Sequence, residues 1–277
     1  MKIAVCLSGL VKGQVHRNIS RLKDRFPYDF FYSTWTKNQE DIEWFPQIDN
    51  CVLCDEPVMH YHPIKDAPEL YTLKLKGIKK SLEVSDNVMN QVDPNYTKRV
   101  PDHTKQILAH AHLLDSLPEE YDMIIRVRYD SYVSSQIDFL PYVERSYDNN
   151  IAMGFGTRGT RWGWLDRVVQ IPKRHPDGKD ESISQDWSCY LQDPIIMHPR
   201  KIFDTSYARK LHEEKRLLPA EVGWWQVLSQ PYGNGESHES YYGGVQVERF
   251  LHQTRYIENS NRVVFDKNFV PIPTRFK

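Results

Sequence analysis

The stretch Asp122-Met123-Ile124-Ile125-Arg126-Val127-Arg128-Tyr129-Asp130 leaves few folds open to this chain. It reads as a core strand that turns polar toward its end. Side chains two apart share a face of an extended strand, so Arg126, Arg128 and Asp130 point one way and Ile125, Val127 and Tyr129 the other. Three charged groups on one face of an otherwise apolar strand are costly to bury unless they are paired or meet a ligand. At the C-terminal edge of a parallel sheet they face the crevice in which α/β proteins bind ligands. Guanidinium groups match phosphate oxygens, and a carboxylate suits a divalent cation. The same residues also read as an Arg–Asp ion pair that caps a strand, and both readings stand at this point.

The flanking segments alternate between strand-like and helix-like patterns, which argues for an α/β layer architecture. Residues 2–7 read as a strand ending in Ser8-Gly9, and 14–25 as a helix. The aromatic run from Tyr28 to Trp35 is a second strand, and Cys51-Val52-Leu53-Cys54 a short third one stopped by Asp55-Glu56-Pro57. A helix is expected near 69–83. Ile107, Leu108, Ala111 and Leu114 recur at helical spacing over 104–116. Ile151 to Phe155 is a further strand, and 172–184 an exposed loop rich in Lys, Asp, Pro and Gly. Helices over about 199–214 and 219–229 each carry proline at a plausible first position. The glycine-rich segment 231–244 reads as a loop. No repeat or linker divides the 277 residues, so a single domain over 1–277 is expected.

Composition narrows the class. Hydrophobic residues make up 40% and charged residues 26%, enough for a packed core. A net charge of −1 argues against a surface that wraps nucleic acid throughout. Four scattered cysteines do not form a disulfide scaffold, and the short apolar opening is a buried strand rather than a secretory signal. No stretch approaches the roughly 20 apolar residues of a membrane span. A soluble, cytoplasmic protein is expected.

Three segments, in order, resemble bacterial and viral GT-A glycosyltransferases of the polysaccharide-synthesis type. They are Cys6-Leu7-Ser8-Gly9, the strand Asp29-Phe30-Phe31-Tyr32-Ser33-Thr34-Trp35, and the Tyr121-to-Asp130 segment with its R-x-R-x-D pattern. Ser184-Gln185-Asp186, before an apolar strand and a helix, is a fourth and weaker match. The resemblance implies an α/β, GT-A-like (Rossmann-like) fold with a central, mostly parallel sheet flanked by helices. It implies a glycosyltransferase, hexosyl or pentosyl, that takes its sugar from a nucleotide-diphosphate donor, with a UDP-sugar favoured. Residues 1–135 would form the nucleotide-sugar-binding half and 136–277 the acceptor-side half.

Carried onto this chain, the resemblance implies that Ser8, Gly9 and Lys12 approach the nucleotide and that Gln106 faces the donor, with Arg126 and Arg128 on the diphosphate. Lys12 stands where those families usually have an Arg. Asp130 would be the last Asp of the metal motif and would bind Mn2+ or Mg2+. Arg128 occupies the position of the first Asp, and a cationic side chain there takes over part of a metal's work on the leaving diphosphate. Many such enzymes complete the metal shell with a C-terminal His, for which His238 and His252 are available.

Transfer to a hydroxyl needs a base for the acceptor and stabilisation of the departing diphosphate. Asp186 and then Glu221 are the candidate catalytic carboxylates. A helix-capping role is the alternative for both. Trp224 and Trp225 are candidates for stacking on a sugar or base, although two aromatics on a helix are more often core. The acceptor is a glycan or a similar hydroxyl compound. An alternative is a hydroxymethylated base in phage-type DNA, gripped by Arg158, Arg161, Arg167, Lys173 and Arg174 beside Trp162 and Trp164. A non-catalytic nucleotide-sugar or carbohydrate-binding protein is a third reading.

Two apparent motifs are set aside. Gly154-x-Gly156-x-x-Gly159 matches the dinucleotide fingerprint literally, but Arg161-Trp162-Gly163-Trp164 follows where a helix should open. Cys51-x-x-Cys54 with His60 and His62 lacks a glycine knuckle, and residues three apart on a strand face opposite sides.

Overall fold

A computed structural model of the chain describes residues 1–11, 15–43, 45, 47–58, 100–133, 138–157, 191–213, 220–229, 238–247, 264–265 and 271–272. The expected helix near 69–83 and the loop over 172–184 lie outside them. The chain adopts the expected α/β architecture, a central and mostly parallel sheet flanked by helices. Eight strands follow the order β3-β2-β1-β4-β7-β6-β8-β5. They are β1 (Ile3–Ser8), β2 (Asp29–Trp35), β3 (Cys51–Cys54), β4 (Met123–Val127), β5 (Ser131–Val133), β6 (Met153–Thr157), β7 (Ile195–Pro199) and β8 (Glu239–Val247). The pairings make β5 and β7 run against the other six strands.

Helices cover both faces: α1 (Val15–Lys23), the single turn α2 (Gln39–Ile42), α3 (Val100–Ser116), α4 (Leu140–Asn149), α5 (Thr205–Glu213) and α6 (Ala220–Ser229). The alternation of the strands sorts the core into two layers. Ala4, Cys6, Ile124 and Ile196 pack with α3, α5 and α6 on one side. Val5, Leu7, Ile125 and Val127 pack with α1 and α4 on the other. β1 and β4 are buried at every position, as strands covered on both faces must be. Among the described residues no helix is long and apolar enough to cross a membrane.

Two expectations are corrected. The expected helix over 199–214 begins later: Pro199 ends β7, a 3-10 turn covers Arg200–Ile202, and α5 starts at Thr205. Asp204 caps it, accepting the Tyr207 amide at 2.9 Å and the Ser206 hydroxyl at 2.7 Å. The glycine-rich 231–244 stretch is not all loop, because β8 begins at Glu239. Gly156 pairs with Tyr242 but Thr157 with Val245, so Gly243-Gly244 form an irregularity inside the strand. Glycines normally demote a strand, yet they suit such a bulge, and pairing with β6 and β5 supplies the stability.

Candidate functional site

Strand order reverses between β1 and β4: β2 and β3 lie on one side of β1, and the chain then crosses through α3 to β4 on the other. In open α/β sheets the crevice beyond the strand ends at such a switch point is where ligands sit. Ser8 and Gly9 end β1 there. Gly9 has φ +110°, and a Cβ on it would lie 3.2 Å from the Gln106 Cβ, so only glycine fits without strain. Its amide donates to the Ser33 carbonyl at 3.0 Å and its carbonyl accepts the Thr34 hydroxyl at 2.8 Å.

Across the crevice, Arg126 is fully buried on the α3 side of β4. Its Nη2 donates to Gln106 Oε1 at 2.6 Å, its Nε to Ser8 Oγ at 3.4 Å, and its Nη1 to the Asp193 carbonyl. The guanidinium lies 4.6 Å from the Trp224 ring centre, a cation–π contact. Burial pulls its pKa down to about 9, while the Asp193 charge pushes it back up, so it stays cationic at neutral pH.

Arg128 lies just past the strand and is the accessible member, its side chain 23% exposed. Its Nε and Nη2 fork onto Asp130 at 2.9 and 2.8 Å, and its Nη1 reaches both oxygens of Asp193 at 3.1 and 3.2 Å. The two carboxylates are almost wholly buried. The turn bearing Arg128 and Asp130 is pinned from four directions. The Arg128 amide donates to the Pro194 carbonyl and the Ser131 amide to the Arg128 carbonyl, each at 3.0 Å. Asn18 Nδ2, on α1, donates to the Tyr129 carbonyl at 3.0 Å, and the Tyr129 hydroxyl to the Ser33 carbonyl at 3.2 Å.

Ser8, Gly9, Gln106, Arg126, Arg128 and Asp130 are therefore brought together. Arg126 nevertheless departs from its expected place on a ligand: it braces the crevice from behind. Trp224 and Trp225 are buried core, with Trp224 beneath Arg126, so the stacking role for an acceptor is withdrawn. His238 is also withdrawn as a partner of Asp130. It precedes β8, at the end of that strand opposite to Val247, which pairs with Ser131. Its Nδ1 accepts the Ala152 amide at 3.1 Å. Glu221 lies in the first turn of α6. Lys12, Arg158, Arg161, Trp162, Trp164, Arg167, Lys173, Arg174, Asp186 and His252 lie outside the described residues.

Asp193 is the member that sequence reasoning missed. It arrives on Leu191–Pro194, which lies directly across β6. A Cβ on Gly154 would fall 2.4 Å from the Gln192 carbonyl oxygen, and one on Gly156 1.9 Å from Gln192 Oε1. Of the glycines in the discarded dinucleotide pattern, Gly154 thus serves a close backbone approach and Gly156 makes room for the Gln192 side chain. The sole signal in the sequence was an acid before the apolar Ile195-Ile196-Met197 run, some sixty residues from its partners.

The described residues do not fit a divalent cation. Such ions take oxygen ligands, and among the side chains here only the carboxylates of Asp130 and Asp193 carry the negative charge to hold one. Both oxygens of Asp130 accept from Arg128, Asp193 faces the same guanidinium, and the intervening charge is itself positive. Among the described residues no three His, Cys, Asp or Glu side chains gather as a metal shell.

No known protein family matches the chain, and no curated protein does. Solved structures with a similar layout include a 4-diphosphocytidyl-2C-methyl-D-erythritol synthase from Anaerococcus prevotii, at 9% identity and TM-score 0.46, covering 88% of this chain and 87% of that one. The galactosyltransferase LgtC, solved with donor and acceptor sugar analogues, follows at 11% identity and TM-score 0.40, covering 88% and 73%. A glycosyltransferase involved in glycosylating the major capsid of PBCV-1 has 9% identity and TM-score 0.36, covering 88% and 82%.

Proposed function

We propose that this chain is a glycosyltransferase that moves a hexose or pentose from a nucleotide-diphosphate donor, a UDP-sugar in the first instance, to a hydroxyl of a glycan. One observation carries the reading: the switch point between β1 and β4 holds a positive-φ Gly9 on one side and the cationic Arg128 edge on the other. Backbone at Gly9 can approach a nucleotide closely, and a guanidinium suits the diphosphate. Asp186 and Glu221 remain the proposed candidates for the acceptor's base.

The test is release of nucleoside diphosphate from a panel of nucleotide sugars offered with glycan acceptors, alongside binding of each donor. Turnover of one donor supports the proposal, and neither turnover nor binding for any donor overturns it. The cluster of Arg126, Arg128, Asp130 and Asp193, whose charges sum to zero, favours a second reading, a nucleotide-sugar or carbohydrate-binding module. Binding without turnover, unchanged in kind by Asp130→Asn or Asp186→Asn, selects that reading.

A further inference from the structure

We infer that the positive charge facing the donor's diphosphate is Arg128 itself, held between Asp130 and Asp193, and that transfer at this site needs no divalent cation. The inference rests on the glycosyltransferase reading and deepens it.

The charges support it. Arg126 and Arg128 are balanced by Asp130 and Asp193, so the cluster is neutral before a ligand arrives. A divalent cation touching either carboxylate would sit within a few ångströms of the Arg128 guanidinium and displace a charge-assisted fork. Removing Arg128 from the cluster would leave two buried carboxylates facing the single charge of Arg126, which is strongly unfavourable. The backbone also resists such a move, since the Arg128 amide is tied to Pro194 and its carbonyl to Ser131. Arg126 stands behind, its fork turned to Gln106, Ser8 and the Asp193 carbonyl, so it positions Asp193 and does not meet the ligand.

In the transfer step the bond from the anomeric carbon to the diphosphate oxygen breaks, and its electron pair stays on the leaving nucleoside diphosphate. A bond forms between the same carbon and the acceptor oxygen, whose proton passes to a base. Arg128 opposes the charge that develops on the diphosphate, the task otherwise given to a metal.

Two measurements test this. Turnover is assayed in excess EDTA and in added Mn2+ or Mg2+, and Mn2+ binding to the free protein is titrated by electron paramagnetic resonance. We expect turnover to persist in EDTA and no Mn2+ to bind the wild type. Arg128→Ala should lower kcat roughly 100- to 1,000-fold, as removal of one charge-stabilising donor does, with partial rescue by added guanidinium. It should also create Mn2+ binding at the two uncovered carboxylates. Should that variant fail to fold, Arg128→Lys, expected to lose less of kcat and to bind no Mn2+, takes its place. Turnover that EDTA abolishes, or Mn2+ bound by the wild type and lost in Asp130→Asn, overturns the inference and leaves the transferase reading standing. If no donor turns over under any condition, the transferase reading falls and this inference falls with it.

Discussion

Gln192 crosses Gly154 so closely that a single methyl group at position 154 would lie 2.4 Å from the Gln192 carbonyl oxygen and 2.6 Å from its amide nitrogen. Both contacts are with backbone, so no side chain can turn aside to relieve them. Gly154→Ala must lift the 191–194 segment off β6, and Asp193 moves with it. Overpacking of this kind costs about 1–3 kcal/mol. Urea unfolding of the variant should show that loss, and donor affinity should fall as well because Asp193 no longer braces Arg128. Gly156→Ala meets the Gln192 side chain instead, which can swing away, and should be the milder change.

Arg126 gives the second prediction. The residue is fully buried, and its guanidinium satisfies Gln106 Oε1 and the Asp193 carbonyl. Arg126→Ala removes the charge that helps hold Asp193 and leaves those acceptors unpaired beside a cavity. Breaking a buried charged contact on one side costs about 3–5 kcal/mol. Denaturant titration should show a loss of that size. Arg126→Lys should be intermediate, since an ammonium cannot reach three acceptors in one plane.

Much of this arrangement is legible in the sequence. The run from Asp122 to Asp130 announced a core strand with a charged end, and β4 is that strand. Its alternation also set Arg126 opposite Ile125 and Val127, and in the structure that face is the one covered by α3. What periodicity could not give was where the charged end turns. β4 stops at Val127, and Arg128 and Asp130 sit in a turn held by Pro194, Asn18 and Ser131, all distant in sequence except the last. Asp193 was invisible for the same reason: its role depends on Gly154, in another strand, permitting a backbone crossing. Trp224 and Trp225 illustrate the opposite error, because aromatic residues suit sugars and cores alike and sequence alone offers both.

A pH dependence follows from the buried histidines. His198 donates from Nδ1 to the Pro199 carbonyl at 2.9 Å, which leaves Nε2 to accept from His110 Nε2 at 3.3 Å. Burial lowers His198 to about 4, the neighbouring Arg126 adding to the effect, and lowers His238 to about 4 as well. Burial, with His198 and Arg126 adding to it, also holds His110 well below its ordinary value. Below pH 6.5 the unfolded chain therefore binds more protons than the folded one, and stability falls as pH drops toward 4. Above pH 6.5 the contribution is complete. Each group with a pKa near 4 accounts for on the order of 3 kcal/mol across that interval. Unfolding free energy measured from pH 7 to 4 should fall steeply, and His198→Gln should flatten the slope.

Asn18 supplies the last prediction, since it ties α1 to the turn that carries Arg128 and Asp130. Its Nδ2 donates to the Tyr129 carbonyl at 3.0 Å in a fully buried setting. Asn18→Ala leaves that carbonyl without its donor and should cost about 1–3 kcal/mol. Asn18→Asp is the more telling change, because a carboxylate oxygen then faces the carbonyl and two acceptors repel each other. At neutral pH it should be less stable than the alanine variant, and it should recover as acid protonates the new carboxyl, against the trend set by the histidines. If the turn needs Asn18 for its position as well as its stability, both variants weaken donor binding at temperatures where they remain folded, as calorimetry would show. Equal donor affinity in all three proteins would mean that Pro194, Ser131 and the Tyr129–Ser33 hydrogen bond hold the turn without Asn18.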